Sequence, residues 1–101
     1  MKSVRFRSKK LLKAARDKEC TMQVESVCNY NTETTVAAHI NVHGGKMGGK
    51  EHDFLVADCC SSCHSWLDQY DGSEEDRLFY TRRALARTWE RRINEGAIVI
   101  K

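Results

Sequence analysis

Two pairs of cysteines, Cys20 with Cys28 and Cys60 with Cys63, constrain this chain more than any other feature. The chain has 101 residues, of which 41% are hydrophobic and 8% aromatic. A core built from so little apolar surface is marginal, because a small domain buries a smaller fraction of its surface than a large one. Some cross-link is therefore expected. Residues 1–19 hold no apolar run of signal-peptide length, so the expected compartment is a reducing cytosol, where thiols serve as metal ligands rather than disulfides. Four thiolates close a tetrahedral zinc site. Cys60 and Cys63 have a usual ligand spacing, whereas the seven residues between Cys20 and Cys28 exceed the ~2–4 typical of zinc ligands. The pairs can still meet if a hairpin packs on the start of the following helix. Cys59 is the odd thiol, because only Cys60 gives the two-residue spacing that turns both sulfurs toward one ion, so core packing is expected of it.

Other chemistries that use these residues fit less well. Cys60-Ser-Ser-Cys63-His64 matches the attachment motif of c-type haem, but haem attachment needs export and leaves Cys20 and Cys28 unexplained. A thioredoxin-like redox pair needs a βαβ setting that the flanking sequence lacks. Gly44-x-x-x-x-Gly49-Lys50 has P-loop spacing, yet Glu51 stands where Ser or Thr must hold magnesium. No stretch approaches ~18 consecutive apolar residues, so no membrane span is expected.

Charge is sorted along the chain. Residues 1–18 carry eight basic residues against Asp17, a net +7, whereas residues 19–76 carry Lys46 and Lys50 against eleven acids, a net −9. Six arginines then crowd residues 77–92. Basic flanks of this kind suit the phosphates of a nucleic acid, with an acidic middle to collect divalent metal; solvated helix faces explain the same counts. Arg5, Arg7, Lys9 and Lys10 in the arm, and Lys46 and Lys50 in the glycine-rich stretch, are the candidate phosphate contacts.

Local patterns predict the elements. Ser8 caps a helix running to about Lys18 with Leu11, Leu12 and Ala15 inward. Thr21 to Cys28 alternates like a strand or hairpin arm, Thr34–Ile40 is a β-branched run, and Phe54–Ala57 is a second short strand across the loop at 44–50. A short helix starts near Ser61 or Ser62 and runs to about Asp68. A longer one, capped by Ser73, runs to Gly96 with Leu78, Leu85, Trp89 and Ile93 on its apolar face. Ala97–Ile100 reads as a terminal strand.

Of four histidines, His43 and His52 carry no pattern and are expected to be surface or internally satisfied residues. His64 follows Cys63 directly and lies one turn before Asp68, so the two can share one divalent ion. His39, at a strand end and brought near by the cysteine cross-link, would be a base beside that metal.

Lys13-Ala-Ala-Arg16 before Cys20, Val27-Cys28-Asn29, Glu33-Thr34-Thr35-Val36 leading to Ala38-His39, Met47-Gly48-Gly49-Lys50 followed by Asp53, and Cys60-Ser-Ser-Cys63-His64 followed by Leu67-Asp68 together give a resemblance that spans nearly the whole chain. The sequence resembles the phage and prophage YbcO-like nucleases, of the HNH type. The resemblance implies an α+β fold: a small zinc-stapled ββα-metal (HNH-like) domain with flanking helices. One unit would fill 1–101, with the basic arm and helix at 1–18, the zinc-bearing ββα core at 20–68 and the Arg-rich C-terminal helix at 73–95. It also implies a metal-dependent endonuclease acting on nucleic acid, with DNA the expected substrate, in the cytoplasm of a bacterial host. His39 looks like the general base and His64 like a ligand of the catalytic ion, Mg2+ or another divalent metal. The four cysteines look like ligands of structural zinc. The commoner HNH pattern places an acid or second histidine before the base; here Ala38 stands there, no asparagine lies between Asn41 and Cys60, and Asp53 or Asp68 would complete the ligand set. The other function class is a zinc-stabilised module that binds nucleic acid without cutting it.

Overall fold

The four-residue strand β1 (Val36–His39) pairs antiparallel with β2 (Val56–Cys59) in the register Val36↔Cys59, Ala37↔Asp58, Ala38↔Ala57 and His39↔Val56. The computed structural model describes residues 5–42, 51–69 and 71–101. The glycine-rich stretch at 44–50, with His43, Lys46 and Lys50, lies outside the described residues. An isolated hairpin is marginal in water, and this one is covered: all four residues of β2 are buried. Ile40 N–H donates to the Leu55 carbonyl at 2.8 Å and carries the ladder one step past β1. The β-branched run begins later than its composition predicts, because Asn31 caps a single 3-10 turn at Thr32–Thr34, its side chain accepting from Glu33 N–H at 3.1 Å.

Among the described residues, three α-helices pack on the hairpin. Helix α1 (Lys9–Lys13) is capped by the Ser8 side chain as expected, and buries Leu11. It is shorter than the sequence predicts: turns follow at once, and Asp17 takes a left-handed φ of 60°. The 20–28 segment is not a strand. Its buried Met22 and Val24 alternate with Gln23, half-buried, and Glu25, exposed, but left-handed backbone at Gln23 and Ser26 folds it into turns. Thr21 joins it to β2, its N–H and hydroxyl both donating to the Asp58 carbonyl, at 2.7 and 3.1 Å. Helix α2 (Ser61–Asp68) starts where predicted, capped by Cys60. Just beyond its end, Gly72 has φ 78°, and a Cβ there would stand 2.6 Å from Trp66 Cζ2, so only glycine fits.

Helix α3 (Glu74–Asn94) has the predicted Ser73 cap, three acids in its first turn and Arg91 and Arg92 in its last, all favourable to the helix dipole. Gly96, at φ 78°, ends it. The inward face differs from the expected one. Leu78 and Ile93 are exposed and Leu85 and Trp89 half-buried, while Ala84, Thr88 and Arg92 are buried against β2. The cause is Asp58, a fully buried carboxylate on β2. Arg91 NH1 reaches its Oδ2 at 2.7 Å, and Arg92 spans both oxygens, NH1 lying 3.0 Å from Oδ2 and NH2 closer still to Oδ1. Thr88 Oγ1 accepts from Asp58 N–H at 3.2 Å and pairs with Thr21 Oγ1 at 2.9 Å. A buried charge needs such partners, so polar residues hold positions that leucine would otherwise fill. The predicted terminal strand is absent: Ala97 and Ile98 N–H groups return to the Arg92 carbonyl, and Val99 and Ile100 are exposed.

Arg92→Ala would strand the Asp58 charge with one partner fewer and is expected to cost about 3–5 kcal/mol. Arg82→Ala, on the exposed face of α3, is expected to stay within about 0.5 kcal/mol. Urea denaturation of the two variants checks the contrast.

Candidate functional site

The four sulfurs of Cys20, Cys28, Cys60 and Cys63 lie within 4.8 Å of one another, the group of metal-binding side chains found among the described residues. Local geometry assembles them. Cys60 caps α2, so its sulfur accepts from Cys63 N–H at 3.4 Å and both point to the same end of the helix. The left-handed turn at Gln23 brings its N–H to Cys20 Sγ, and the Val24 N–H to Cys63 Sγ, each at 3.4 Å. Cys28 N–H bonds to the Val24 carbonyl and carries its sulfur to 3.8 Å from Cys60 Sγ. Sulfurs around a tetrahedral zinc stand about 3.8 Å apart at a Zn–S length near 2.3 Å. The cluster therefore suits a metal such as zinc, its wider separations closing from up to 4.8 Å toward that spacing, and its donor set is soft and closed. Hydrogen bonding to Cys63 lowers Cys20 to about 5, while burial lifts Cys28 to about 11 and the bond to Cys20 lifts Cys63. Cys59 is buried on β2, outside the cluster, and burial raises its thiol well above the ordinary range.

His39, the last residue of β1, meets Asp53: Nε2 lies 2.8 Å from Oδ1. The carboxylate is almost wholly buried and well supplied with donors. Arg7 NH1 reaches the same Oδ1 at 3.0 Å, and Ser8 N–H donates to Oδ2 at 2.7 Å. Burial raises the Asp53 carboxyl, but hydrogen bonds from His39, Ser8 and Arg7 outweigh it and hold the group below the usual carboxylate range. An ionised Asp53 accepts a hydrogen bond from Nε2–H, and in the neutral ring that tautomer leaves the free electron pair at Nδ1. Asp53, a candidate ion ligand in the sequence, thus spends both oxygens on protein donors. His39 lines a cavity of about 320 Å³ with Asn41, Asp68, Glu74 and Arg77.

His64 and Asp68 share one face of α2, Nε2 standing 3.4 Å from Oδ2, and both are solvent-accessible. Ligands at ~2.0–2.2 Å from one ion are separated by about this distance, so the pair fits a shared divalent cation. Asp68 joins His39 at the cavity.

The basic candidates divide. Lys9 and Lys10 are exposed on α1. Arg5 pairs with the buried Glu51 at 3.6 Å and Arg7 with Asp53. On α3, Arg83, Arg87 and Arg91 donate to the carbonyls of Met22, Thr21 and Glu19 and clamp the 19–22 segment. His52 is internally satisfied as expected: its Nδ1 accepts from Phe6 N–H at 2.9 Å, and its ring stacks on Phe54 at 4.8 Å. Sequence reasoning missed the Asp53–His39 pairing, Arg7's place in it, and Glu74 and Arg77 at the cavity. Thirteen residues lie between His39 and Asp53, and no local pattern links them.

A family model described as "Putative nuclease YbcO" matches residues 9–97. "Putative nuclease YbcO" of Escherichia coli K12 and "Putative nuclease ybcO" of Enterobacteria phage 82 are each 43% identical over 60 residues, 58% of this chain and 62% of theirs. The matches thus span under two thirds of the length of those relatives. A solved structure described as "a putative bacteriophage protein" from E. coli K-12 MG1655 superposes with a TM-score of 0.70 at 32% identity, over 85% of this chain and 99% of that one.

Metal binding at the cysteine cluster needs thiolates, so it must displace the protons that Cys28 and Cys63 hold at neutral pH. Zinc added to metal-free protein is therefore expected to release protons and saturate at one equivalent, with affinity falling as pH falls. Cys28→Ser should lose this binding and Cys59→Ser should keep it, as read by calorimetry in two buffers and by elemental analysis.

Proposed function

The chain belongs to the YbcO nuclease family, and on that footing we propose that it is a metal-dependent endonuclease of the HNH type that hydrolyses phosphodiester bonds of DNA. The observation that carries this reading is the His39–Asp53 hydrogen bond at the wall of the cavity that Asp68 also lines. His39 takes a proton from the attacking water through Nδ1. Asp53 holds the ring by Nε2 and stabilises the imidazolium that results, while water oxygen bonds to phosphorus and the P–O3′ bond breaks. His64 and Asp68 hold the divalent ion, Mg2+ or a similar metal, which when bound supplies positive charge to the phosphate and the departing oxygen. The four cysteines hold structural zinc, the staple that a chain with so small a core needs. Exposed Lys9 and Lys10, with Lys46 and Lys50, contact backbone phosphates, so binding weakens as salt rises. The reducing cytoplasm of a bacterial host suits the free thiols.

Supercoiled plasmid incubated with magnesium or manganese, with and without chelator, tests this reading. The wild type is expected to nick only with metal. His39→Ala should keep its fold and DNA binding while losing about 10²–10⁴-fold in rate. His64→Ala should also lose nicking, with a weakened response to added divalent ion. A wild type that shows no cleavage with any divalent ion but still binds DNA would favour the non-catalytic binding module instead.

A further inference from the structure

The arginines at the start of the chain read as phosphate contacts in the sequence, but two of them turn onto carboxylates. Arg5 pairs with Glu51, which is 6% exposed, and Arg7 with Asp53, which is 3% exposed. Arg7 NH1 also donates to the Glu51 carbonyl at 2.8 Å. The backbone follows the same line: Asp53 N–H donates to the Phe6 carbonyl at 2.9 Å, Phe6 N–H to His52 Nδ1, and Ser8 N–H to Asp53 Oδ2. Residues 5–8 therefore lie along 51–53 as a strap.

A carboxylate turns about its Cβ–Cγ bond unless each oxygen is held by a group other than the ring it is to orient. Here Ser8 N–H holds Oδ2, and Arg7 shares Oδ1 with His39. We propose, on the endonuclease reading above, that Arg7 is a positioning residue for His39: by holding Asp53 Oδ1 while anchored on the Glu51 carbonyl, it fixes the carboxylate plane and through it the imidazole. The arm then belongs to the catalytic apparatus in addition to the DNA-binding surface. The chain of contact runs from Arg7 and Ser8 through Asp53 to His39 and ends at the cavity, which Asp68 faces from α2 and Glu74 and Arg77 from α3. Without Arg7, Oδ1 keeps His39 as its one donor among those described above, and the buried carboxylate is under-supplied. The ring loses its fixed attitude. Misplacement of a reacting group by about 1 Å can cost ~10²-fold.

Two measurements on Arg7→Ala and Arg7→Lys test the proposal. The first is nitrogen-detected NMR of the histidine rings. In the wild type His39 should show one tautomer with its proton on Nε2 and a hydrogen-bonded, downfield Nε2–H signal. In Arg7→Ala that signal should broaden or move upfield, and in Arg7→Lys it should largely return. The second is steady-state plasmid nicking with magnesium, where Arg7→Ala should lower kcat about 10–100-fold with little change in KM. Arg7→Lys should recover most of that loss. Arg7→Met, which keeps the aliphatic stem, carries the same expectations should Arg7→Ala not fold. An unchanged His39 signal in a folded variant that lacks the guanidinium overturns the proposal, as does a rise in KM with kcat intact, the signature of a side chain that only grips phosphate. A wild type that cuts nothing overturns the endonuclease reading, and the ring signal alone then decides Arg7.

Discussion

The four-sulfur cluster is the contact from which the rest of the arrangement follows. It joins the turn-rich segment before the hairpin to the first turn of the helix after it, and so closes the chain around β1 and β2. Cys60 does this twice over, since it also caps α2. Fixing Cys60 and Cys63 at the helix start fixes the rotational phase of α2. His64 is the next residue, and Asp68 lies one turn on along the same face. The orientation of that pair is thus set by sulfur geometry. A metal held by the cluster would tie the fold and the candidate site to a single binding event.

Buried carboxylates impose the second layer of constraint. Asp58, Asp53 and Glu51 all lie in or just before β2, and each finds an arginine from a distant part of the chain: Arg91 and Arg92 from the end of α3, Arg7 and Arg5 from the segment before α1. The sorting of charge along the sequence, basic at both ends and acidic between, is to this extent internal compensation. Breaking any such pair leaves a charge in low dielectric, which costs more than the pair contributes over an apolar substitute. The cationic groups that face solvent are correspondingly fewer than the sequence suggests.

What the sequence made legible was local. Ser73 and Gly96 bracket α3 and Cys60-x-x-Cys63 opens α2, because capping and ligand spacing act over three or four residues. His39 at a strand end was legible for the same reason. What the sequence hid was set by partners far away. The inner face of α3 is read wrongly from hydropathy, since Thr88 and Arg92 point inward to an aspartate some thirty residues earlier. The 20–28 segment alternates as a strand would, yet its Met22 and Val24 are buried from a chain of turns whose N–H groups serve sulfurs. Burial alone does not distinguish those two backbones; the hydrogen-bond partners do.

Asp53 shows how far this reaches into the site. As a residue type it suits a metal ligand, and its position after the glycine-rich stretch gives no other hint. Its chemistry is decided by three donors, one from β1, one side chain and one backbone amide from the arm, which together keep it ionised in a place that would otherwise favour the protonated acid. A carboxylate so occupied is better suited to orient a base than to give up donors for an ion. The exposed carboxylate of Asp68, one helical turn from an imidazole and open to the same cavity, has the opposite profile. Two aspartates that composition treats alike are therefore separated by solvation and hydrogen bonding into one suited to hold the His39 ring and one suited to hold a cation.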